Sequence, residues 1–157
     1  MARYKPVDRH LMKLLPVRFS EQILPGTFEY AVHWLVDHQI DLSVFDARYR
    51  NDETGATAYD PAVLLKVVLL GYARGLLSSR AIERACRENV VFMALSGDSA
   101  PHFTTIASFV AKLPKEITTV FRDVLLVCDA EGLIGKGLFV VVTAGFHRSY
   151  LAPKAGI

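Results

Sequence analysis

Between residues 74 and 112 lie the side chains best suited to binding: Arg74, Arg80, Arg84, Arg87 and Lys112, interleaved with Ser78, Ser79, Thr104, Thr105 and Ser108. From 61 to 122 there are eight Lys or Arg against four Asp or Glu, whereas the whole chain has a formal net charge of only +2. A cation that neutralises a phosphate of duplex DNA releases condensed counterions, so a handful supports sequence-independent affinity in roughly the micromolar range. Ser78, Ser79, Thr104 and Thr105 stand where helices are expected to start, and the free N–H groups at such ends bind phosphate oxygens. The stretch 78–113 reads as a helix-turn-helix-like segment, with 104–113 nearer the bases and Thr104, Thr105 and Ser108 able to reach base edges. The same residues also fit a solvated face of an ordinary bundle, where Arg80, Glu83, Arg84 and Glu88 exchange ion pairs three and four residues apart. Spacing alone favours that second explanation.

Other chemistry finds little support. Metal-dependent phosphoryl transfer needs two or three clustered carboxylates. Here Asp52 and Glu53 fall in a loop, and Asp123 and Asp129 are too far apart to share a helix face closely. The histidines at 10, 33, 38, 102 and 147 are scattered, and no Ser or Cys has the surroundings of a nucleophile. Cys86 and Cys128 read as small core residues, with no second thiol at metal spacing. No catalytic residue, metal ligand or cofactor site is therefore assigned. The basic, polar N-terminus lacks a signal-peptide core, and Lys66 and Arg74 break the longest apolar runs. A cytoplasmic protein with no membrane span is expected.

The elements that must position these residues are mainly helical. Residues 1–26, punctuated by Pro6, Pro16 and Pro25-Gly26, read as an irregular arm with one helical turn at 8–14, laid over the rest. Thr27 can cap a helix in which Phe28, Ala31, Val32, Leu35 and Val36 recur at helical spacing as far as Gln39. Asp41 offers a cap for a shorter helix to about Tyr49, followed by a polar loop over 50–59. Asp60-Pro61 starts a helix apolar on most faces, which belongs at the hub of a core. Ser78-Ser79 cap the next helix, with Arg80, Glu83, Arg84, Arg87 and Glu88 outward and Ala81, Ile82, Ala85 and Cys86 inward. Asn89–Leu95 continues it as an apolar segment. Thr104 or Thr105 caps a helix burying Ile106, Phe109, Val110 and Leu113, and a long helix follows over about 115–131. Residues 138–143, Leu-Phe-Val-Val-Val-Thr, form the one convincing strand. A lone apolar strand needs sheet partners. The fold class is thus a multi-helix bundle with an orphan β-strand near the C-terminus.

The order of motifs sharpens this. Asp41-Leu-Ser, Ala58-Tyr-Asp-Pro61 running into Leu64-Leu-Lys and Leu70-Gly-Tyr72-Ala-Arg-Gly75, Ser78-Ser-Arg80-Ala-Ile-Glu-Arg-Ala85-Cys, Phe92-Met-Ala-Leu-Ser96-Gly and Pro101-His-Phe-Thr104-Thr-Ile-Ala-Ser-Phe109 follow one another. Together they resemble the N-terminal, InsH-type helical domain of bacterial insertion-sequence transposases, DDE enzymes with an RNase H-like catalytic domain. The similarity spans about residues 3–142, and 58–109 is its specific core. The resemblance implies a helical DNA-binding domain over 27–133 that holds the element's terminal inverted repeats. Partners would be those DNA ends and a second copy or a full-length transposase. The family's divalent metal, Mg, would be held by an Asp/Asp/Glu triad.

The family's first strand ends in Asp-Gly, but here 134–142 runs into Thr143-Ala144-Gly145, and 143–157 matches nothing in the family. If Val142 is encoded GTG and Thr143 ACN, the frame shifted back by one base reads Asp, so the tail looks out of frame. The expectation is a truncated or frameshifted transposase that binds DNA without catalytic competence. A helical interaction or dimerisation module, built on apolar helices around 61–77 and 117–128, is the rival.

Overall fold

In the computed structural model, residues 10–12, 14–43, 45 and 58–113 are described, together with positions 115, 118, 119, 122, 126, 130 and 132. After a short 3-10 turn at Phe19–Glu21 come α1 (Phe28–His38), α2 (Pro61–Ala73), α3 (Ser79–Glu88), α4 (Val90–Ser96) and α5 (Phe103–Ala111). No strand occurs among the described residues.

Every residue of α2 from Leu64 to Tyr72 is buried, and the other four helices all pack on it. This follows from its sequence, since a helix apolar on most faces must be surrounded. Its start is set locally: the Asp60 carboxylate accepts the Ala62 N–H at 2.8 Å, and Pro61 needs no partner for an N–H it lacks. Against α2, α1 buries Phe28, Val32 and Val36, one residue per turn, from a start where Thr27 Oγ1 accepts the Tyr30 N–H. α3 crosses closest at Gly71, where an added Cβ would lie 2.8 Å from Ile82 Cγ1. The small residue there sets how near the two helices come.

Asn89 separates α3 from α4. Its backbone is extended, with φ −112° and ψ 120°, and its side chain accepts the N–H groups of Val91 and Phe92. A short polar side chain has thereby diverted the backbone from continuing α3 and started a new helix. The expected continuous segment is thus two helices, α3 and α4, with a sharp bend between them.

Two other expectations change. Where its described residues begin, the arm is not laid over the core: Leu11, Met12, Leu14 and Leu15 are strongly exposed, and residues 10–12 and 14 are not helical. The regular turn comes later, at Phe19–Glu21, and Ile23 is what packs on the core. After α1, the Asp41 carboxylate accepts the Ser43 N–H at 2.9 Å, and Phe45 is buried; the rest of the helix expected to Tyr49 lies outside the described residues. Lys115, Thr118, Thr119, Arg122, Leu126 and Ala130 are helical, and Gly132 has φ +71°; the other residues of the helix expected over about 115–131 lie outside the described residues. The strand at 138–143 and the tail at 143–157 lie outside the described residues.

Candidate nucleic-acid interface

α3 and α5 pack on each other, and their outer faces carry most of the expected binding residues. α3 is strongly amphipathic: Ile82 and Cys86 point into the core, and Arg80, Arg84 and Arg87 lie outside. Ser78 starts it, accepting the Ala81 N–H at 3.1 Å, so its acceptor serves the helix itself; Ser79 is half-buried at the first helical position. α5 buries Ile106, Phe109 and Val110 and exposes Thr104, Ala107, Ser108, Ala111 and Lys112. Thr104, Thr105, Ser108 and Lys112 share one open hollow of about 380 Å³ with Phe45, Leu64 and Phe109, the two phenyl rings stacked at 5.3 Å.

The cap of α5 is neither Thr104 nor Thr105 but His102. Its backbone is extended, and its Nδ1 accepts the Thr104 N–H at 3.4 Å and lies 2.8 Å from the Thr104 hydroxyl oxygen. The imidazole nitrogen sits at the reach of an Asn or Asp cap oxygen and does the same work. Thr104 is therefore two residues inside the helix, with its hydroxyl engaged. The His102 ring also lies against the Phe103 ring at 4.3 Å, and the Arg80 guanidinium sits over the same ring at 4.2 Å. This stack joins α3 to the start of α5 and holds Arg80 in a fixed place at the surface.

The five cations expected to bind divide. Arg84 is exposed and enters no ion pair among the described residues. Arg87 donates to Glu83 at 2.7 Å, one turn back. Arg74 belongs to a different structure: it pairs with Glu29 of α1 and lies over Phe92 at 5.6 Å, tying the end of α2 to its neighbours. Burial would push the Glu29 carboxyl up. Its own backbone N–H, the Arg74 guanidinium and the Thr27 hydroxyl outweigh that and hold it below its ordinary value. Glu83, expected outward, is instead 13% exposed and accepts the Phe103 N–H at 3.1 Å.

Away from this face, Lys66 is buried within α2. Its ammonium donates to Asp37 at 2.6 Å and to His33 Nδ1 at 3.2 Å, so a buried charge is paired and bonded as it must be. His38 stacks on Trp34 and bonds its carbonyl oxygen. Cys86 is buried, and that burial, with Glu83 nearby, pushes its thiol up to about 11, the opposite of what a nucleophile needs. Among the described residues no three of His, Cys, Asp or Glu gather to hold a metal ion, and no helix is long and apolar enough to cross a membrane.

His102 and Phe103 were not singled out by sequence reasoning, because histidine is an uncommon cap and Phe103 follows apolar spacing. The signal available was Pro101, which forces an extended approach to the helix. Compared with known families, residues 17–112, a stretch that takes in α1 to α5, match the family described as "Transposase domain (DUF772)". No curated protein and no solved structure matches the chain.

Proposed function

Because the chain belongs to this family of transposase domains, which gives it a transposition-related function, we propose that its helical unit binds duplex DNA through α3 and α5, and that the bound sites are the terminal inverted repeats of an insertion sequence. One observation carries the reading. The exposed face of α5 is made of Thr104, Ala107, Ser108 and Ala111, with Lys112 at its end and the cations Arg80 and Arg84 on the adjoining helix. Small side chains let a helix backbone approach base edges in the major groove, while cations on the flank meet phosphates. Thr105 and Ser108, with hydroxyls at one hollow, are the residues placed to read bases; Arg80, Arg84 and Lys112 are placed to bind the backbone. Arg74 and Ser78 contribute by holding the elements.

Fluorescence anisotropy with duplexes selected from a randomised pool tests this. Log affinity is expected to fall linearly with log salt, and Ser108→Ala is expected to lower discrimination between selected and scrambled duplexes more than it lowers affinity for either. Absence of binding at low salt would overturn the reading.

A second reading, association with a protein partner, is favoured by the arm, where Leu11, Met12, Leu14 and Leu15 are exposed in sequence. It does not use α2, whose apolar surface is spent inside the core. Light scattering with Leu14 and Leu15 changed to Ser distinguishes it: loss of self-association with DNA binding intact supports a separate contact on the arm.

A further inference from the structure

One carboxylate stands at the junction of the two helices and serves both. Glu83 Oε2 accepts the backbone N–H of Phe103, twenty residues further on, and Oε1 accepts from Arg87. Phe103 is the first residue of α5, so this N–H has no partner within its own helix. The bond fixes the start of α5 against α3, and with it the Phe103 ring that carries the Arg80 guanidinium. The other oxygen neutralises Arg87, a cation 61% exposed on the same face as Arg80 and Arg84 and otherwise available to phosphate. A carboxylate only 13% exposed on a cationic face lowers general attraction to DNA, which is the opposite of what affinity alone would select.

We propose that Glu83 is a positioning residue with two separate roles: it holds α5 against α3 for base reading, which sets specificity, and it withholds Arg87 from sequence-independent phosphate binding, which lowers affinity for any duplex. This rests on the DNA-binding reading above. The two roles separate by substitution. Glu83→Gln keeps an oxygen for the Phe103 N–H but removes the charge that engages Arg87. Glu83→Ala removes both.

The test uses the whole chain and two probes, a duplex selected by the unmodified chain from a randomised pool and its scrambled counterpart, titrated by anisotropy across a range of NaCl. Glu83→Gln is expected to bind the scrambled duplex several-fold more tightly, with a salt slope steeper by about 0.9, the contribution of one added phosphate contact. Adding Arg87→Ala to it abolishes that gain. Its ratio of selected to scrambled affinity stays within about threefold of the unmodified chain. Glu83→Ala is expected to show the same gain on scrambled DNA but to lose at least tenfold in the ratio, with helical circular dichroism retained. If Glu83→Ala does not stay folded, Glu83→Asp replaces it, since one methylene fewer draws the carboxylate away from the Phe103 N–H while keeping its charge. An unchanged slope in Glu83→Gln, an unchanged ratio in Glu83→Ala or its replacement, or no enriched sequence from the pool overturns the proposal. Failure of the unmodified chain to bind either probe at low salt overturns instead the reading on which it rests.

Discussion

The cations of α2 and those of α3 differ in what their counter-charges leave over. Lys66 and Arg74 are matched by Asp37 and Glu29 on α1, and both pairs bind helix to helix across 29 and 45 positions of sequence. On α3 only Arg87 of the three arginines has a carboxylate partner among the described residues, Glu83 of the same helix; Arg84 has none, and Arg80 rests on an aromatic ring instead. One side of the domain spends its positive charge on cohesion, and the other keeps it at the surface. Composition does not distinguish the two, because Arg74 and Arg84 are the same residue type ten positions apart. What distinguishes them is whether the opposing helix brings an acid.

Substitutions on the cohesive side should therefore cost stability and leave DNA contacts largely alone. The largest effect is expected at Lys66→Ala, which removes a buried stem together with the partner of Asp37. A loss of about 3 kcal/mol is expected, read from urea unfolding, at the lower end for a broken buried pair because Asp37 is partly exposed. Lys66→Met keeps the stem and should recover more than half of it. Equal losses in the two variants would show that the charge pair, not the packing, holds α1 to α2.

Next comes Arg74→Ala, expected to cost about 1.5 kcal/mol, since Glu29 is left mostly buried without its cation. This pair also has a pH signature. A carboxyl held below its ordinary value in the folded state contributes stability that is present above that ordinary value and lost as pH falls through the folded one. Urea midpoints compared between neutral pH and about pH 3 should fall less steeply for Arg74→Ala than for the unmodified chain. Parallel curves would mean that the acid sensitivity arises elsewhere.

These assignments mark where the sequence was informative. The caps at Thr27, Asp60 and Ser78 were legible because each acts on N–H groups two or three residues ahead. The hub position of α2 was legible from its all-round apolar character, and the inward Ile82 and Cys86 from helical spacing. The pairings that decide the site were not. Glu83 is followed four residues later by Arg87, which spacing does reveal, but its bond to the Phe103 N–H depends on how α5 returns over α3. Likewise nothing local links Arg74 to Glu29, so spacing left Arg74 among the cations free to bind. The break at Asn89 was visible in residue type, yet the apolar run beyond it masked a side chain that competes with its own backbone.

His102 joins the two sides, since it caps α5 from the face proposed to bind DNA. His102→Ala should cost about 1 kcal/mol, the usual range for a lost cap, and His102→Asn, which restores an oxygen at similar reach, should recover most of it. Thermal unfolding measures both. If His102→Asn is no better than alanine, the ring's stacking on Phe103 matters more than its nitrogen.

The smallest effect on stability is the sharpest test of the comparison. Arg84→Ala removes an exposed side chain with no ion pair among the described residues, so unfolding should move by no more than about 0.5 kcal/mol. Its effect should appear only against DNA. One phosphate contact fewer makes the salt slope shallower by about 0.9 and weakens selected and scrambled duplexes alike, because a backbone contact carries no sequence information. A change in stability without a change in slope would place Arg84 with Arg74, among the cations that hold the fold. A change in slope alone places it on a surface whose positive charge is left for a partner, which is the property that separates α3 from α2.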